Sequence, residues 1–134
     1  CKKTRLAHEI GLNHVENVVK CFEETGTVWE NYAPDIFGKN SSARGDFVGW
    51  TGLAPVAVLM EYVLGIKGNI SENKIVWDVN LTCRHGIENY PLKNGETVSL
   101  ICEARKSEDE KPVICKIGAD VDVYINWKKG NFKI

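Results

Sequence analysis

The sequence predicts an α+β chain with helices in its first part and strands in its second. Apolar residues recur at three- to five-residue steps in the first part, which is typical of helices, and at every second residue in the second part, which is typical of strands. The length of 134 residues is that of one ordinary domain, and a hydrophobic content of 43% is enough to build a core. We place the boundary between residues 1–68 and a β-rich part, residues 69–134.

A helix opens the chain and ends at a glycine. Its apolar residues keep within one broad face: Leu6, Ile10, Val15, Val18, Val19 and Phe22. Thr25-Gly26 stops the helix, because Gly26 can adopt the left-handed conformation that caps helix ends. His8 and His14 do not share a helix face, which argues against a metal pair and for ordinary packing histidines.

Residues 25–50 show no sustained period but are rich in aromatic side chains. Loops longer than about 12–15 residues inside a compact domain are usually functional or disordered, and this one is too aromatic to be disordered. A well-packed structural loop is the alternative interpretation. The aromatic residues are Trp29, Tyr32, Phe37, Phe47 and Trp50.

A second helix is predicted over residues 51–64, with Thr51 as its N-cap and Pro55 near its first turn. It is apolar on most sides, and a helix of that kind must be buried between other elements. The first helix alone is not enough to cover it, so we expect an apolar face that further structure has to cover. The longest apolar run, Leu53 to Met60, is well short of the about 18 residues that span a membrane.

About five strands are predicted in the second part, as a small antiparallel sheet or sandwich. Alternation marks them from Ile75 to Cys83, Val98 to Ala104, Val113 to Ile117, Val121 to Trp127 and Phe132 to Ile134. The run Lys106 to Lys111 is interpreted as a solvated hairpin tip. Cys83, Cys102 and Cys115 fall in the apolar phase, which favours buried free thiols; a disulfide between two of these strands is the alternative.

Charge and spacing exclude several classes of function. The 17 Lys and Arg against 18 Asp and Glu leave a net charge of −1, which argues against a nucleic-acid partner. No pair or cluster of Cys and His has the spacing of zinc ligands. The chain begins with Cys1 and its single Met is Met60, so we expect an internal or processed piece of a longer protein. We expect it to be soluble and without membrane contact, in a periplasmic, secreted or cytoplasmic location.

The segment from Gly26 to Pro34 carries the pattern most indicative of chemistry. In it, Glu30 stands between Trp29 and Tyr32, and Gly49-Trp50-Thr51-Gly52 follows at the start of the second helix. Aromatic faces stack on the apolar faces of sugar rings, and a carboxylate between them can act as a general base. The same residues also occur together in packed loops, so the pattern alone leaves both interpretations open.

These motifs resemble the C-terminal end of the trehalase-like inverting glycosidases, which include trehalases and the processing alpha-glucosidase group. Trehalases carry a Glu-Lys-Tyr-Asp stretch with the base Glu, then a Gly-rich loop, then Gly-Phe-Gly-Trp-Thr-Asn opening a late barrel helix. The resemblance covers about residues 5–66. The Gly-rich Gly-Glu-Tyr segment has no counterpart between Pro34 and Asp46, so a relative that hydrolyses another alpha-linked glucoside fits at least as well as a trehalase.

The resemblance implies a fold, a reaction and roles for named residues. The fold is the final helical hairpin of an (alpha/alpha)6 toroid with a β-rich extension, and the reaction is hydrolysis of an alpha-linked glucoside with inversion. Glu30 would be the general base, and Trp29, Tyr32 and Trp50 would line or brace the sugar pocket. The general acid would lie outside this chain, which we therefore expect to be inactive alone, and no metal or cofactor is implied.

Other interpretations remain open for several residues and for the whole chain. Trp50 is equally a core residue that anchors the second helix, and Asp35 and Asp46 are loop acids with a smaller claim to a site role. The expected partners are a carbohydrate substrate and either the missing N-terminal part of the same protein or a second copy. The alternative function is a non-catalytic carbohydrate-binding or interaction module built on the β-rich part. Full coverage of the second helix within this chain would favour that module, and a large exposed apolar face would favour the glycosidase.

Overall fold

The computed structural model describes residues 3–35, 38 and 48–134, and the chain divides into two compact units. The first unit is Cys1–Val63 and the second is Leu64–Ile134. The division falls before the boundary predicted at residue 68, because the first strand of the second unit already begins at Ile66. The α+β class is confirmed, and the functional assignment of the two parts stays a prediction.

The first helix, α1, spans Thr4–Thr25 and ends as predicted. Gly26 adopts the left-handed conformation with φ of 75°, and its amide donates a hydrogen bond to the carbonyl of Phe22 at 2.7 Å. The buried residues of α1 are Gly11, Val18 and Cys21. Much of the predicted apolar face is not covered within this chain: Leu6, Ile10, Val19 and Phe22 are exposed.

The second helical segment, residues 49–63, differs from the single α-helix predicted over 51–64. It consists of a 3-10 turn, Gly49–Leu53, an α-helical turn, α2, at Ala54–Val58, and a π-helical turn, Leu59–Val63. Thr51 is not the N-cap. Its hydroxyl donates backward to the carbonyl of Val48 at 2.5 Å, whereas an N-cap side chain accepts from amides ahead of it.

Gly11 allows α1 to approach the second helical segment closely. A Cβ atom at Gly11 would lie 3.0 Å from Cβ of Tyr62 and 3.3 Å from Cγ1 of Val58. Beside this contact, Nδ1 of His8 donates a hydrogen bond to the carbonyl of Tyr62 at 2.9 Å. His8 is therefore a packing histidine, as the sequence predicts.

The second helical segment leaves an apolar face exposed, as its composition predicts. Trp50 is 87% exposed, Leu53 73% and Val56 60%. Val63 is the buried residue of the π-helical turn. In the described part of the chain, no helix is long and apolar enough to cross a membrane.

The second unit contains seven strands in two sheets, where the sequence predicts about five in an antiparallel arrangement. The strands are β1 Ile66–Asn69, β2 Lys74–Asp78, β3 His85–Pro91, β4 Thr97–Cys102, β5 Ile114–Gly118, β6 Asp122–Trp127 and β7 Gly130–Lys133. One sheet has the order β1-β2-β6-β7 and the other β3-β4-β5. The pair β2 and β6 is parallel and the other described pairs are antiparallel, so the sheets are mostly antiparallel, and the parallel pair is the departure from the prediction.

The two sheets share one apolar core. Trp77 of β2 is fully buried, and its indole N–H donates to the carbonyl of Leu64 at 2.8 Å. The buried cluster draws on strands of both sheets, which is the arrangement of a sandwich. Its members are Ile66, Ile75, Trp77, Val79, Val98, Leu100, Cys102, Val121, Val123 and Ile125.

The cysteines of the strands are free, but only one of the three is buried as predicted. Cys102 is buried, and burial raises the pKa of its thiol. Cys83 lies outside the strands and is exposed. Cys115 lies in β5 and is also exposed. Cys115 is exposed because β5 pairs with β4 in a register that turns Ile114 toward the core and leaves Ile117 outside, 64% exposed.

The segment predicted to be a solvated hairpin tip is attached to the body of the sandwich by Arg105. This side chain is 9% exposed, and its guanidinium donates to the carbonyls of Leu81 at 2.9 Å and Glu110 at 2.8 Å. It also donates to the carbonyls of Val79 at 3.2 Å and Glu108 at 3.4 Å. Arg105 therefore joins the β4–β5 loop to the segment after β2.

We expect Arg105→Ala to destabilise the second unit by about 2–4 kcal/mol, because it leaves several partly buried carbonyls without their charged donor. Arg84→Ala is the matched control. It removes an arginine whose side chain is 65% exposed and pairs with Glu103 at 3.4 Å, and it should cost about 0.5 kcal/mol or less. Denaturant unfolding followed by circular dichroism measures both. Equal effects of the two variants would contradict the role of Arg105.

We expect the exposed apolar face of the first unit to bind hydrophobic dye and to cause concentration-dependent association of this chain. Leu53→Glu places a charge in the middle of that face and should reduce both effects. Asn13→Glu adds the same charge at an exposed polar position of α1 and should leave them unchanged. Light scattering and dye fluorescence measure the outcome. A monomer at all concentrations with low dye binding would contradict the expectation.

Candidate active site

The four predicted site residues lie in two described segments of the first unit. Trp29, Glu30 and Tyr32 are in the turn that follows α1, and Trp50 is in the 3-10 turn that opens the second helical segment. We call residues 29–32 the Trp29–Tyr32 turn. Of the other residues singled out in this region, Phe37, Asp46 and Phe47 lie outside the described residues.

Trp29 is the buried anchor of this turn. Its side chain is 9% exposed, and its indole N–H donates to the hydroxyl of Thr25 at 2.8 Å. The Thr25 hydroxyl in turn donates to the carbonyl of Cys21 at 2.7 Å. The ring of Trp29 is thereby tied to the last turn of α1.

Tyr32 folds back onto the start of the same turn. Its hydroxyl accepts a hydrogen bond from the backbone N–H of Trp29 at 3.0 Å. Burial raises the pKa of Tyr32 and Cys21 adds to the rise, while the hydrogen bond from Trp29 opposes it. After the turn, the amide of Ala33 donates to the carbonyl of Gly38 at 3.0 Å.

Glu30 is half-buried and lies between these two anchored residues. The beginning of the second helical segment lies beside it in the fold, because the hydroxyl of Thr51 is 3.4 Å from the carbonyl of Trp29. The neighbouring Trp50 is 87% exposed. The alternative interpretation of Trp50 as a core residue is therefore wrong within this chain.

Two residues that organise the turn were not recognised in the sequence as having that role. The sequence predicts Thr25 as part of a helix stop, and Thr51 as an N-cap within the Gly49-Trp50-Thr51-Gly52 motif. For Thr25 the sequence does contain an indication of this role. Thr25 stands four residues before Trp29, and at this spacing a side chain at the end of a helix can contact a side chain just after the following turn. Nothing in the sequence pattern indicates the contact between Thr51 and Trp29.

A groove with a volume of about 460 Å³ lies between α1 and the second helical segment. It is apolar except for His14 and Tyr62, and the four predicted site residues are not among its lining residues. The lining residues are Ala7, Ile10, Gly11, His14, Ala54, Val58 and Tyr62. The groove belongs to the uncovered apolar surface of the helices rather than to the turn that carries Glu30.

No cluster of three or more His, Cys, Asp or Glu side chains suited to a metal ion occurs among the residues that the structure describes. The polar groups gathered at the Trp29–Tyr32 turn include the hydroxyls of Thr25, Tyr32 and Thr51, the indole of Trp29, and backbone amides and carbonyls, and Glu30 adds a carboxylate. A carboxylate can accept a proton from water, which is the chemistry of a general base.

A comparison with known families supports a glycoside hydrolase for this part of the chain. Residues 2–61 match the family model described as the glycosyl hydrolase family 63 C-terminal domain. The match includes α1, the Trp29–Tyr32 turn with Glu30, and Trp50, and it covers less than half of the 134 residues. Searches of the curated proteins and of the solved structures found no match.

We expect the stability of the first unit to fall at alkaline pH because of Tyr32. Since burial raises the pKa of Tyr32, the folded state favours the neutral phenol. This stabilisation is complete below the ordinary pKa of about 10 and is lost as pH rises through the raised value. Denaturant unfolding at several pH values above about 9 should show this loss in the unaltered chain and in the control Tyr124→Phe. An equal loss of stability at alkaline pH in Tyr32→Phe would contradict the assignment of this loss to Tyr32.

Proposed function

We propose that this chain supplies the general base of a glycosidase that hydrolyses an alpha-linked glucoside with inversion, and that Glu30 is that base. The observation that carries the proposal is the family-model match over residues 2–61, which includes Glu30. The resemblance of Trp29-Glu30-Asn31-Tyr32 to the base-bearing stretch of trehalase-like enzymes supports the same residue. Its half-buried position between two anchored aromatic residues is suitable for a carboxylate that meets water and sugar.

In the proposed reaction, Glu30 takes a proton from a water molecule on the face of the sugar opposite the leaving group. The water oxygen forms a bond to the anomeric carbon as the glycosidic C–O bond breaks. A second carboxyl group, supplied from outside this chain, donates its proton to the leaving oxygen. The products are glucose and the alcohol of the leaving group, and the configuration at the anomeric carbon is inverted because attack and departure occur on opposite faces.

Trp50 has the exposure that a sugar-stacking residue needs. Its ring is 87% exposed at the start of the second helical segment, whereas the ring of Trp29 is buried. We therefore assign the stacking role to Trp50 and a supporting role to Trp29. An aromatic ring can pack against the apolar face of a pyranose ring, while a carboxylate suits its polar edge.

We propose that the rest of the same glycosidase domain is the partner of the first unit. The alternative partner is a second copy of this chain. Leu53 and Val56 are 73% and 60% exposed, so the second helical segment has no complete cover among the described residues. A non-catalytic module would be expected to bury this segment itself. The exposed face therefore favours the glycosidase over the module, and the toroidal arrangement of the complete domain is part of this proposal.

The complete protein that carries this chain provides the test. Glu30→Gln keeps the shape of the side chain but removes the proton acceptor, and should lower kcat by about 10²–10⁴-fold with little change in KM. Asp35→Asn removes an exposed carboxylate of the same region and should change kcat by no more than about threefold. Steady-state kinetics on aryl alpha-glucosides measure both, and proton NMR identifies the anomer released first. Near-full turnover by Glu30→Gln, or release of the alpha anomer first, would overturn the proposal.

A further inference from the structure

A side chain bridges the Trp29–Tyr32 turn. A common tight turn brings a carbonyl of its first residue to an amide three residues later. Here the phenol oxygen of Tyr32 accepts the backbone N–H of Trp29 at 3.0 Å. The aromatic ring of Tyr32 thus spans the turn, and Glu30 and Asn31 are the two residues enclosed by it.

The first residue of the turn is held at three points. The indole N–H of Trp29 donates to Thr25 at 2.8 Å, its backbone N–H donates to Tyr32, and its carbonyl lies 3.4 Å from the hydroxyl of Thr51. Its side chain is 9% exposed. The backbone on the N-terminal side of Glu30 therefore has little freedom to rotate.

We infer that Tyr32 and Thr25 are positioning residues, which hold Trp29 and so fix the turn that carries the Glu30 carboxylate. This inference rests on the proposed function of Glu30 as general base. A general base must lie within about 3 Å of the proton that it removes, and a misplacement of about 1 Å can cost about 10²-fold in rate. Rotation of the backbone at Trp29 would displace the carboxylate of the residue that follows it.

The positioning role makes a different demand on Tyr32 than sugar stacking does. Stacking uses the ring, which Tyr32→Phe keeps, whereas positioning uses the hydroxyl oxygen, which Tyr32→Phe removes. We expect Tyr32→Phe in the complete protein to lower kcat by about 10- to 100-fold and to leave KM within about twofold. Tyr124→Phe is the matched control, because it removes an exposed tyrosine hydroxyl in the second unit and should leave kcat unchanged.

A double-mutant cycle with Glu30→Gln separates positioning from general damage to the fold. If Tyr32 acts through Glu30, adding Tyr32→Phe to Glu30→Gln should lower the residual rate by less than about twofold. If Tyr32→Phe instead lowers the rate by the same factor in both backgrounds, the inference is overturned. Full activity of Glu30→Gln would contradict the proposed function of Glu30 as general base. Full activity of Tyr32→Phe alone would contradict only the positioning role of Tyr32.

Thr25 is tested by a pair of variants that differ only in the hydroxyl. Thr25→Val keeps the branched shape but loses the acceptor for the indole of Trp29, and should lower kcat by about tenfold without a change in KM. Thr25→Ser keeps the hydroxyl and should restore most of the rate. Equal rates for the valine and serine variants would contradict a role for this hydrogen bond.

The hydrogen bond itself is measurable in the 134-residue chain without any activity. Amide hydrogen exchange at Trp29 should be slow in the unaltered chain and faster by about fivefold or more in Tyr32→Phe. The amide of Gly26, which donates to Phe22 at 2.7 Å, is the internal reference and should exchange at the same rate in both chains. An unchanged rate at Trp29 would show that the hydroxyl does not close the turn, and would overturn the inference at its first step.

Discussion

Two packed helices bury too little surface to cover the apolar faces of both, and this constraint governs the first unit. Gly11 brings α1 and the second helical segment close together, yet Ile10 and Leu53 stay 60% and 73% exposed. The second unit meets no such limit, because two sheets facing each other enclose a core in which Trp77 and Leu100 are fully buried. The chain thus joins a self-sufficient sandwich to a helical pair whose burial is incomplete.

The same contrast between buried and exposed surface separates the two tryptophans of the candidate site. Trp29 is buried and serves the turn through its indole N–H and its backbone, while Trp50 presents its ring to the outside. A buried aromatic residue can shape a site without touching a ligand, and an exposed one beside it can provide contact area. The two tryptophans that the motif groups together therefore differ in burial, and the proposed division into a supporting and a stacking residue follows this difference.

The sequence predicted α1 and its end well, because Gly26 and the apolar period both depend on local geometry. It missed β1 and β3: Ile66–Asn69 is too short for an alternation to appear, and β3 has a register shift between Ile87 and Tyr90 that breaks the period. Tertiary pairing, which the period does not encode, decided that Cys115 faces outward.

For the site, the sequence indicated which residues belong together but not how they are held. The neighbourhood of Trp29, Glu30 and Tyr32 was visible as a motif, whereas the bond from the Trp29 amide to the Tyr32 hydroxyl depends on the fold of the turn. The contact of Thr51 with Trp29 joins residues 22 positions apart, and no local pattern predicts it.

The parallel pairing of β2 with β6 has a consequence for how the second unit forms. Lys74 pairs with Asp122, and the whole three-stranded sheet lies between these two strands in the chain. The hairpin of β1 and β2 thus has one edge unpaired until β6 has been synthesised. Contacts of such long sequence separation close large loops, so they slow folding and raise the contact order of the unit. During synthesis the helices are complete long before this sheet can be.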